Sequence, residues 1–282
     1  MMYFFLGLII LGLIFLCINI YELTHFELNE YLIDAGEKIN GDFEFLILSD
    51  LHNNTYGKEN CKLIKCINDT KVEKIIVAGD MVTGKIKSDW SKTERFLLKL
   101  AENHTIYYVN GNHEYRTKVY IEKFGDKYRE YKDRLKNAGI IFLENEYTVI
   151  DNIRITGLEI DRKYYKKFKR YKINIEEIVQ SIGKVDDNYY NILVAHNPRY
   201  ISEYVKWKPD IIISGHFHGG VMRIGKRTGV ISPQFDVFPK FSGGLYKMNK
   251  ITAIVSRGLG THSVNIRLFN KPEVIKIKLQ KH

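Results

Sequence analysis

Cysteine is scarce in this chain of 282 residues, which contains only three. Their positions argue against a disulfide bond and against a zinc site built from cysteine pairs. Cys61 and Cys66 lie five residues apart in a segment of helical character, and side chains at positions i and i+5 of a helix point in different directions. A disulfide bond between them is therefore not expected, and their spacing does not match a zinc-binding pair. Cys17 belongs to an apolar N-terminal run.

Long blocks of lysine or arginine are also missing, and so is an aromatic RNA-binding signature, although the chain as a whole is basic. Lys and Arg number 43 against 33 Asp and Glu, which gives a formal net charge of +10. A nucleic-acid partner is therefore not expected. The positive surplus favours phosphate-bearing substrates or acidic lipid headgroups, with solvated surface lysine as the alternative. The length and the 45% hydrophobic content suit one sizeable globular domain or two small ones.

No charged side chain occurs in the first 21 residues. An apolar run of this length is long enough to cross the hydrocarbon core of a membrane as a helix. A cleaved signal peptide, the alternative, would have a basic n-region, a shorter apolar stretch and a small-residue cleavage site, none of which is evident. The sequence predicts a transmembrane anchor at residues 1–21, a connector with at most one strand at 22–42, and a folded domain at 43–282.

The segment that follows the apolar run carries no lysine or arginine before Lys38, although it contains five acidic residues. Loops on the cytoplasmic side of a membrane are enriched in lysine and arginine. This absence therefore favours a single-pass protein of the cell membrane whose folded domain lies on the extracytoplasmic side.

Neither an internal repeat nor a low-complexity tract is present, and from residue 43 apolar runs of strand length alternate with helical segments. Strands are predicted at 43–50, 74–80, 105–114, 191–198 and 210–214, with further short strands after residue 138 and near 221, 251, 264 and 274. Helices are predicted at 58–69, 88–103, 117–138 and 174–183. A βαβ pattern followed by a more β-rich half predicts an α/β fold with helices outside a sheet-containing sandwich.

Oxygen- and imidazole-bearing side chains follow five of these apolar runs. They are Asp50 and His52, then Asp80, then Asn112 with His113 and Glu114, then His196, and finally His216 with His218. A single aspartate at a strand end is usually a turn former or a helix cap. Five such ends are different, because ligands of open α/β sheets bind beyond the carboxyl ends of the strands. The pattern predicts that these groups converge on one site.

The stretch SGHFHGG, residues 214–220, places two histidines one residue apart. Alternate residues share a face if the extended geometry continues, and glycines allow the backbone to approach a ligand closely. Two polar loop histidines are the alternative reading of this stretch alone. Together with the other strand ends, the mixture of carboxylate, amide and imidazole favours zinc, manganese or iron over calcium or magnesium alone. Even without His113 and Glu114 seven donors remain, which exceeds the needs of one tetrahedral ion, so two ions that share a carboxylate are expected.

The blocks DLH, GD, GNHE, AHNP and GHFH, in this order, resemble those of the calcineurin-like metallophosphoesterases, whose pattern is DxH, GDxxD, GNH[DE], H and GHxH. The resemblance covers roughly residues 43–280. The tail SRGLGTHSVNIRLFNKPEVIKIKL is similar to that of the membrane-associated bacterial branch, which includes phosphohydrolases that act on lipid-linked pyrophosphates. One departure is Thr83, which replaces the second Asp of GDxxD. That position usually lies away from the metals, so activity is expected to survive.

This resemblance implies a four-layer α/β/β/α sandwich of two mixed sheets flanked by helices, with residues 43–282 as the catalytic domain. It also implies a role for each block. One ion would be held by Asp50, His52 and His218, the second by Asn112, His196 and His216, and Asp80 would bridge them. His113 would act on the substrate as a general acid, and Glu114 would orient it.

The activity implied is hydrolysis of a phosphodiester or pyrophosphate bond by a hydroxide held between two divalent ions (Mn, Zn or Fe). Because the N-terminal helix would place the site near a bilayer, the substrate is expected to be linked to a lipid. Two alternatives are a phosphodiesterase of soluble nucleotides and a non-catalytic scaffold of the same fold. The presence of all seven ligand positions and of His113 disfavours the scaffold.

The segment DRKYYKKFKRYK, residues 161–172, carries seven basic and four aromatic residues. Aromatic and basic side chains together are typical of a surface that contacts anionic lipid headgroups. The segment could instead bind a substrate phosphate, or it could be a solvated connector.

Overall fold

The computed structural model describes residues 1–225, 228–261 and 264–281, and two six-stranded mixed sheets form its centre. In spatial order the first sheet contains β1 (Glu27–Asp34), β14 (Glu273–Gln280), β2 (Phe43–Leu48), β3 (Lys74–Ala78), β4 (Thr105–Val109) and β5 (Ile141–Phe142). The second contains β12 (Gly244–Met248), β13 (Ile251–Val255), β9 (Ile211–Ser214), β8 (Tyr190–Ala195), β7 (Ile153–Leu158) and β6 (Tyr147–Ile150). A separate short hairpin pairs β10 (Arg223–Ile224) with β11 (Thr228–Gly229).

The eight α-helices of the described residues are α1 (Met2–Thr24), α2 (Cys61–Asp69), α3 (Ser91–Ala101), α4 (Asn112–Val119), α5 (Ile121–Phe124), α6 (Lys127–Asn137), α7 (Ile175–Ile182) and α8 (Ile201–Tyr204). Local sequence accounts for their ends. Asn174, for example, caps α7 by accepting a 2.9 Å hydrogen bond from the backbone N–H of Glu177, and acidic residues occupy the first turn of that helix, where the helix dipole favours them.

Three apolar clusters separate four layers. Phe45 and Ile47 of β2 face the second sheet and pack with residues such as Ile213, whereas Leu46 and Leu48 face α2, α3 and α6. A third cluster lies between the second sheet and α7 and α8. Strands buried on both faces explain the unbroken apolar runs in the sequence. The predicted α/β/β/α sandwich of two mixed sheets is confirmed.

Two details differ from the sequence-based expectations. The helix expected at 117–138 is divided into α4, α5 and α6, and α5 ends at Phe124 because the next residue, Gly125, has a φ of +59° that favours glycine. The strand expected near residue 264 is wrong within the described range, since that stretch has only one bridge, Leu268 to Met222. Its backbone bonds both to α1, where Arg267 N–H donates to Asn19 Oδ1 at 2.8 Å, and to the segment of Val221 and Arg223 through Leu268.

Helix α1 is 23 residues long and apolar enough to span a membrane, and none of the residues in its most hydrophobic 18-residue window is buried. A helix from the core of a soluble protein would be mostly buried. The segment that follows contains a strand, since β1 pairs in parallel with the full length of β14 at the edge of the first sheet.

Candidate metal centre

The carboxyl ends of the parallel strands bring the predicted donors to one edge of the sandwich. In the first sheet β2, β3 and β4 run parallel, and in the second sheet β8 and β9 do so. Contacts between the two sheets join the loops that follow these strands. His196 Nδ1, after β8, lies 2.7 Å from the carbonyl oxygen of Ala78, at the end of β3. The backbone N–H of His216, after β9, donates to the Asp50 carboxylate at 3.0 Å.

Asp50, His52 and His218 form the first group of donors. The Nε2 atoms of His52 and His218 are 3.2 Å apart, and His218 Nε2 lies 3.4 Å from Asp50 Oδ1. All three side chains are buried. Residues 166 positions apart in the sequence therefore present their donor atoms to a common point.

Asp80, His196 and His216 form the second group. His196 Nε2 lies 3.1 Å from Asp80 Oδ2, and the rings of His196 and His216 have centroids 5.2 Å apart. Asn112, the remaining predicted donor, begins α4 and immediately precedes His113, whose backbone N–H donates to Asp80 Oδ1 at 2.8 Å.

Asp80 lies between the two groups. Its Oδ2 is 3.1 Å from His196 Nε2 on one side and 3.7 Å from His52 Nε2 on the other. The Asp80 carboxylate is therefore close to donor atoms of both groups.

Five of the seven predicted donor residues have left-handed backbone conformations: Asp50 (φ 53°), His52 (φ 50°), Asp80 (φ 55°), His216 (φ 65°) and His218 (φ 50°). Such conformations are uncommon outside glycine and persist where the surrounding structure imposes them, often at functional sites. They also show that the extended geometry of β9 does not continue beyond Ser214. The turn sends His218 to the first group and His216 to the second.

Gly111 is needed because the loops after β3 and β4 approach each other closely. A Cβ atom at this position would lie 2.2 Å from Asp80 Oδ1 and 2.5 Å from the Asp80 backbone nitrogen. Any side chain here would displace Asp80, so the glycine of the GNHE block sets the position of the central carboxylate.

Backbone partners fix the tautomers of three histidines. His196 Nδ1 and His218 Nδ1 face the carbonyl oxygens of Ala78 (2.7 Å) and Gly260 (3.1 Å). Because a carbonyl only accepts hydrogen bonds, both Nδ1 atoms carry the proton, and each Nε2 presents its lone pair to the donor cluster. His113 has the opposite arrangement. The backbone N–H of Gly84 donates to His113 Nδ1 at 2.7 Å, so in the neutral ring the proton lies on Nε2.

Glu114 joins the loops that carry Asp80 and Asn112. Its buried carboxylate accepts hydrogen bonds from the backbone N–H groups of Asp80 (3.0 Å), Val82 (3.2 Å) and Gly111 (3.1 Å), and from the hydroxyl of Tyr108 (2.9 Å). Burial, together with the nearby negative charge of Asp80, raises the pKa of Glu114 to about 7. The described contacts of Glu114 thus run to the loop backbones rather than to the His113 ring that the sequence expectation assigned to it.

Thr83, the departure from the family pattern, supports the backbone near the first group. Its hydroxyl donates to the carbonyl oxygen of His52 at 3.2 Å, and its own carbonyl accepts from the indole N–H of Trp90 at 3.0 Å. These contacts involve backbone carbonyl oxygens rather than the donor atoms themselves.

Two residues near the centre were not identified from the sequence. Arg267 is only 1% exposed, and it holds the C-terminal loop by donating to several carbonyl oxygens, including that of Gly260 at 2.6 Å. The same carbonyl faces His218 Nδ1. Tyr165, from the basic aromatic segment, packs edge-on against His216 with ring centroids 5.0 Å apart. Only the similarity of the C-terminal tail and the aromatic content of residues 161–172 pointed toward these two positions.

The chemistry of this cluster fits divalent cations. Three buried atoms that lack a hydrogen-bond partner among the described residues belong to it, namely Asp80 Oδ2, Asn112 Oδ1 and His196 Nε2. Buried polar atoms are almost always satisfied in folded proteins, so atoms of this kind need an unseen partner. Burial also raises the pKa of both Asp50 and Asp80 above the ordinary carboxyl range. Cations between the two groups would satisfy the acceptors and keep the carboxylates charged.

The raised pKa values predict how the metal-free protein responds to pH. A folded chain with buried, protonated Asp80 holds a proton that the unfolded chain releases above about pH 4, so its stability falls as the pH rises toward the raised pKa. Asp80→Asn stays neutral at every pH. In EDTA we expect wild type and Asp80→Asn to melt at similar temperatures at pH 5, and wild type to melt lower at pH 8.

Manganese added at pH 8 should raise the melting temperature of wild type more than that of Asp80→Asn, because metals bind deprotonated carboxylates. Thermal melts of both proteins across the pH range test this. A wild-type curve that stays parallel to the Asp80→Asn curve from pH 5 to pH 8 would contradict it.

Comparisons with known proteins find a family and several similar chains. The family model for calcineurin-like phosphoesterases matches residues 43–220. The uncharacterized metallophosphoesterase YkoQ of Bacillus subtilis is 28% identical over 86% of this chain and 84% of its own length. An uncharacterized metallophosphoesterase of Aquifex aeolicus is 26% identical over 91% of this chain and 93% of its own. Among solved structures, the NAD nucleotidase of Haemophilus influenzae superposes with a TM-score of 0.42 and 14% identity, over 77% of this chain and 51% of that one.

Proposed function

The chain belongs to the calcineurin-like phosphoesterase family and is a hydrolase of phosphoric esters, and we propose that it cleaves a phosphodiester or pyrophosphate bond in a lipid-linked substrate. The observation that carries the lipid part is an apolar cleft that begins at the candidate metal centre. His218 forms one wall of this cleft. The rest of the lining is mostly apolar. It is formed by Phe217, Val221, Ile231, Pro233, Phe235, Val264 and Ile266.

We assign the donor groups as follows. Asp50, His52 and His218 would hold one divalent cation, Asn112, His196 and His216 would hold the other, and Asp80 would contact both. When bound, two such cations neutralise charge on the phosphoryl oxygens and lower the pKa of water near the phosphorus. The protein contributes fixed tautomers at His196 and His218, so their Nε2 lone pairs need no rearrangement before binding.

His113 is the group proposed to give a proton to the leaving oxygen. Its ring lies edge-on to that of His52, with centroids 4.9 Å apart, so it borders the first donor group. The Gly84 N–H holds Nδ1 as an acceptor, which leaves the Nε2 proton for donation. The backbone of His113 is fixed on both sides, by Asp80 Oδ1 at 2.8 Å and by the hydroxyl of Thr117 at 3.0 Å.

The location proposed for the protein follows from α1 and its flanks. An uncleaved single-pass anchor over residues 1–21 would keep the catalytic domain, residues 43–282, at the membrane through the segment 22–42. The lack of lysine and arginine between residues 22 and 37 supports an extracytoplasmic domain. A substrate held in the bilayer would then be within reach of the cleft.

A matched pair of substrates tests the lipid part of this proposal. The full chain, reconstituted with Mn²⁺ in detergent micelles, is given a pyrophosphate with a long hydrocarbon chain and the same pyrophosphate with a short, soluble chain. Each methylene buried contributes about 0.8 kcal/mol, so a few buried methylenes should raise kcat/KM about tenfold or more for the long chain. Bis-p-nitrophenyl phosphate serves as the control for basal activity.

Equal kcat/KM values for the two pyrophosphates would remove the lipid part of the proposal while leaving the phosphoesterase intact. Preference for soluble nucleotides over both would favour the alternative substrate class. Failure to hydrolyse bis-p-nitrophenyl phosphate with Mn²⁺, Zn²⁺ or Fe²⁺ would instead count against the metal-dependent activity itself.

A further inference from the structure

The C-terminal part of α1 is packed against the catalytic domain. Phe15 contacts Phe269 edge-on, with ring centroids 6.4 Å apart. Asn19 makes two bonds to the same stretch of the domain: its Nδ2 donates to the carbonyl oxygen of Asn265 at 3.3 Å, and its Oδ1 accepts from the backbone N–H of Arg267 at 2.8 Å. These contacts hold residues 265–269 at the level of Phe15 and Asn19 along the helix axis.

Phe15 and Asn19 both lie within the apolar part of α1. Phe15 precedes Tyr21, the last residue of the uncharged run, by six residues, which is about 9 Å along a helix. An apolar helix of about 20 residues matches a hydrocarbon core about 30 Å thick. If α1 spans a bilayer, Phe269 therefore lies at the level of the membrane interface or below it. Asn19 is a polar residue in this run, and its side-chain amide forms hydrogen bonds with the domain. A polar group that lies away from water in a membrane needs such partners.

An exposed apolar surface continues from this point across the domain. Backbone contacts connect its parts in order: Leu268 N–H bonds to Val221, Val221 N–H bonds to Ile231, and Ile231 is bridged to Val237. We call it the apolar face. Its exposed side chains are Val221, Ile224, Ile231, Phe235, Val237, Phe238, Val264, Ile266 and Phe269. Contiguous apolar surfaces of this kind on a folded domain mark sites of interaction with another protein or with a membrane.

Part of the basic aromatic segment borders the apolar face. Phe168 is 80% exposed and stacks on Phe235, with ring centroids 4.7 Å apart. Lys167 Nζ lies 5.1 Å from the centroid of the Phe235 ring, and Arg170, whose side chain is 79% exposed, pairs with Asp236. Residues 162–172 contain seven basic and no acidic side chains. Positive charge beside exposed aromatic rings is complementary to the anionic headgroups of a lipid surface and less so to a second copy of this basic chain.

We propose that the apolar face is a membrane-contacting surface, seated on an anionic bilayer beside α1, with residues 162–172 on the lipid headgroups. The catalytic domain would then lie on the membrane rather than extend away from it on a linker. The apolar cleft that ends at His218 shares Val221, Ile231, Phe235, Val264 and Ile266 with this face, so it opens toward the lipid. This surface is independent of which bond the enzyme cleaves, although it depends on α1 being in the membrane.

Quenching of tryptophan fluorescence by brominated lipids tests this surface in the full chain. Val237→Trp places a probe in the apolar face at a 65% exposed position, and it is the decisive variant because α1 makes no described contact there. Tyr147→Trp, 56% exposed on β6 at the edge of the second sheet, is the matched control. The native Trp90 and Trp207 are buried, and the wild type gives their background. Melting temperatures show whether each variant is folded.

In nanodiscs that contain phosphatidylglycerol, bromination near the headgroups should remove about half of the added emission of Val237→Trp, because interfacial side chains lie about 5–10 Å into the headgroup–acyl boundary. The emission of Tyr147→Trp should stay near its value in unbrominated lipid. Adding Lys166→Glu, Lys167→Glu and Lys169→Glu to Val237→Trp should reduce the quenching, as should replacing phosphatidylglycerol with phosphatidylcholine.

Equal, weak quenching of Val237→Trp and Tyr147→Trp would overturn the proposal. Weak quenching of Val237→Trp together with two chains per nanodisc would assign the face to a second copy of this chain, and it would also overturn the membrane contact. Both results can be obtained without any catalytic assay, so they are distinguishable from a failure of the proposed function.

Discussion

Asp80→Ala should reduce the metal content of the purified protein from two ions per chain to one or fewer. The reason is the position of this carboxylate, whose Oδ2 lies 3.1 Å from His196 Nε2 and 3.7 Å from His52 Nε2 and so serves both donor groups. Hydrolysis should fall by about 10²- to 10³-fold or more, the range found when one charge-stabilising group is removed from an active site. Elemental analysis after dialysis measures the first effect, and hydrolysis of bis-p-nitrophenyl phosphate measures the second.

The alanine variant also loses the acceptor for the backbone N–H of His113, so its fold needs a separate check. Asp80→Asn keeps a side-chain oxygen for that bond and removes only the negative charge. We expect it to melt normally in EDTA and still to lose the second ion. Asp69→Ala, at the exposed end of α2, controls for the loss of a carboxylate elsewhere. Two ions per chain in both Asp80 variants would show that this residue does not bridge.

The sequence was informative about the centre because each donor follows a buried strand. Burial on both faces makes such strands recognisable as apolar runs, and parallel neighbours necessarily end at one edge. The residues after those runs, Asp50, Asp80 and His196 among them, could therefore be placed together before any coordinates. The ordered motif blocks then implied two groups of donors, and the structure does bring Asp50 with His218 and Asp80 with His216.

The surroundings of the donors could not be predicted from the sequence in the same way. The tautomers of His196 and His218 depend on the carbonyl oxygens of Ala78 and Gly260, and a backbone carbonyl has no sequence signature. The stretch near residue 264 was expected to be a strand from its local pattern, but its backbone bonds are divided between α1, more than 240 positions earlier, and the segment of Val221 and Arg223. Local periodicity reports the face that a segment buries; it does not report which distant loop satisfies its backbone.

The basic aromatic segment shows the same limit of local patterns. Its sequence permitted a lipid contact, a phosphate contact or a solvated connector, whereas the structure places its residues in three different surroundings. Tyr164 is buried in the second-sheet cluster, Tyr165 packs on His216, and Phe168 is exposed on the apolar face. Neighbouring residues thus belong to the core, the active centre and the surface, a division that composition alone does not contain.

His113→Ala should retain two metal ions and lose most turnover, and the loss should depend on the leaving group. A general acid contributes about 10² to 10⁴-fold when the leaving oxygen needs a proton. We therefore expect a loss of about that size for alkyl phosphodiesters. The loss should be much smaller for bis-p-nitrophenyl phosphate, because p-nitrophenolate leaves without protonation. Elemental analysis and the kcat values for the two substrates, measured side by side, test the prediction.

His104→Ala is the matched control, since His104 lies in the loop before β4, at the end of that strand away from the metal centre, and bonds to Val72 and Asn68. His104→Ala should leave the kcat values for both substrates unchanged. An equal loss for both substrates in His113→Ala would make His113 a residue whose ring positions the centre, through its bond to the Gly84 N–H and its contact with the His52 ring, because a missing proton donor cannot slow a leaving group that needs no proton. Full activity on alkyl substrates would remove His113 from the mechanism. The Gly84 N–H on Nδ1 makes the leaving-group-dependent loss the expected result, since it holds the proton on the nitrogen that can donate it.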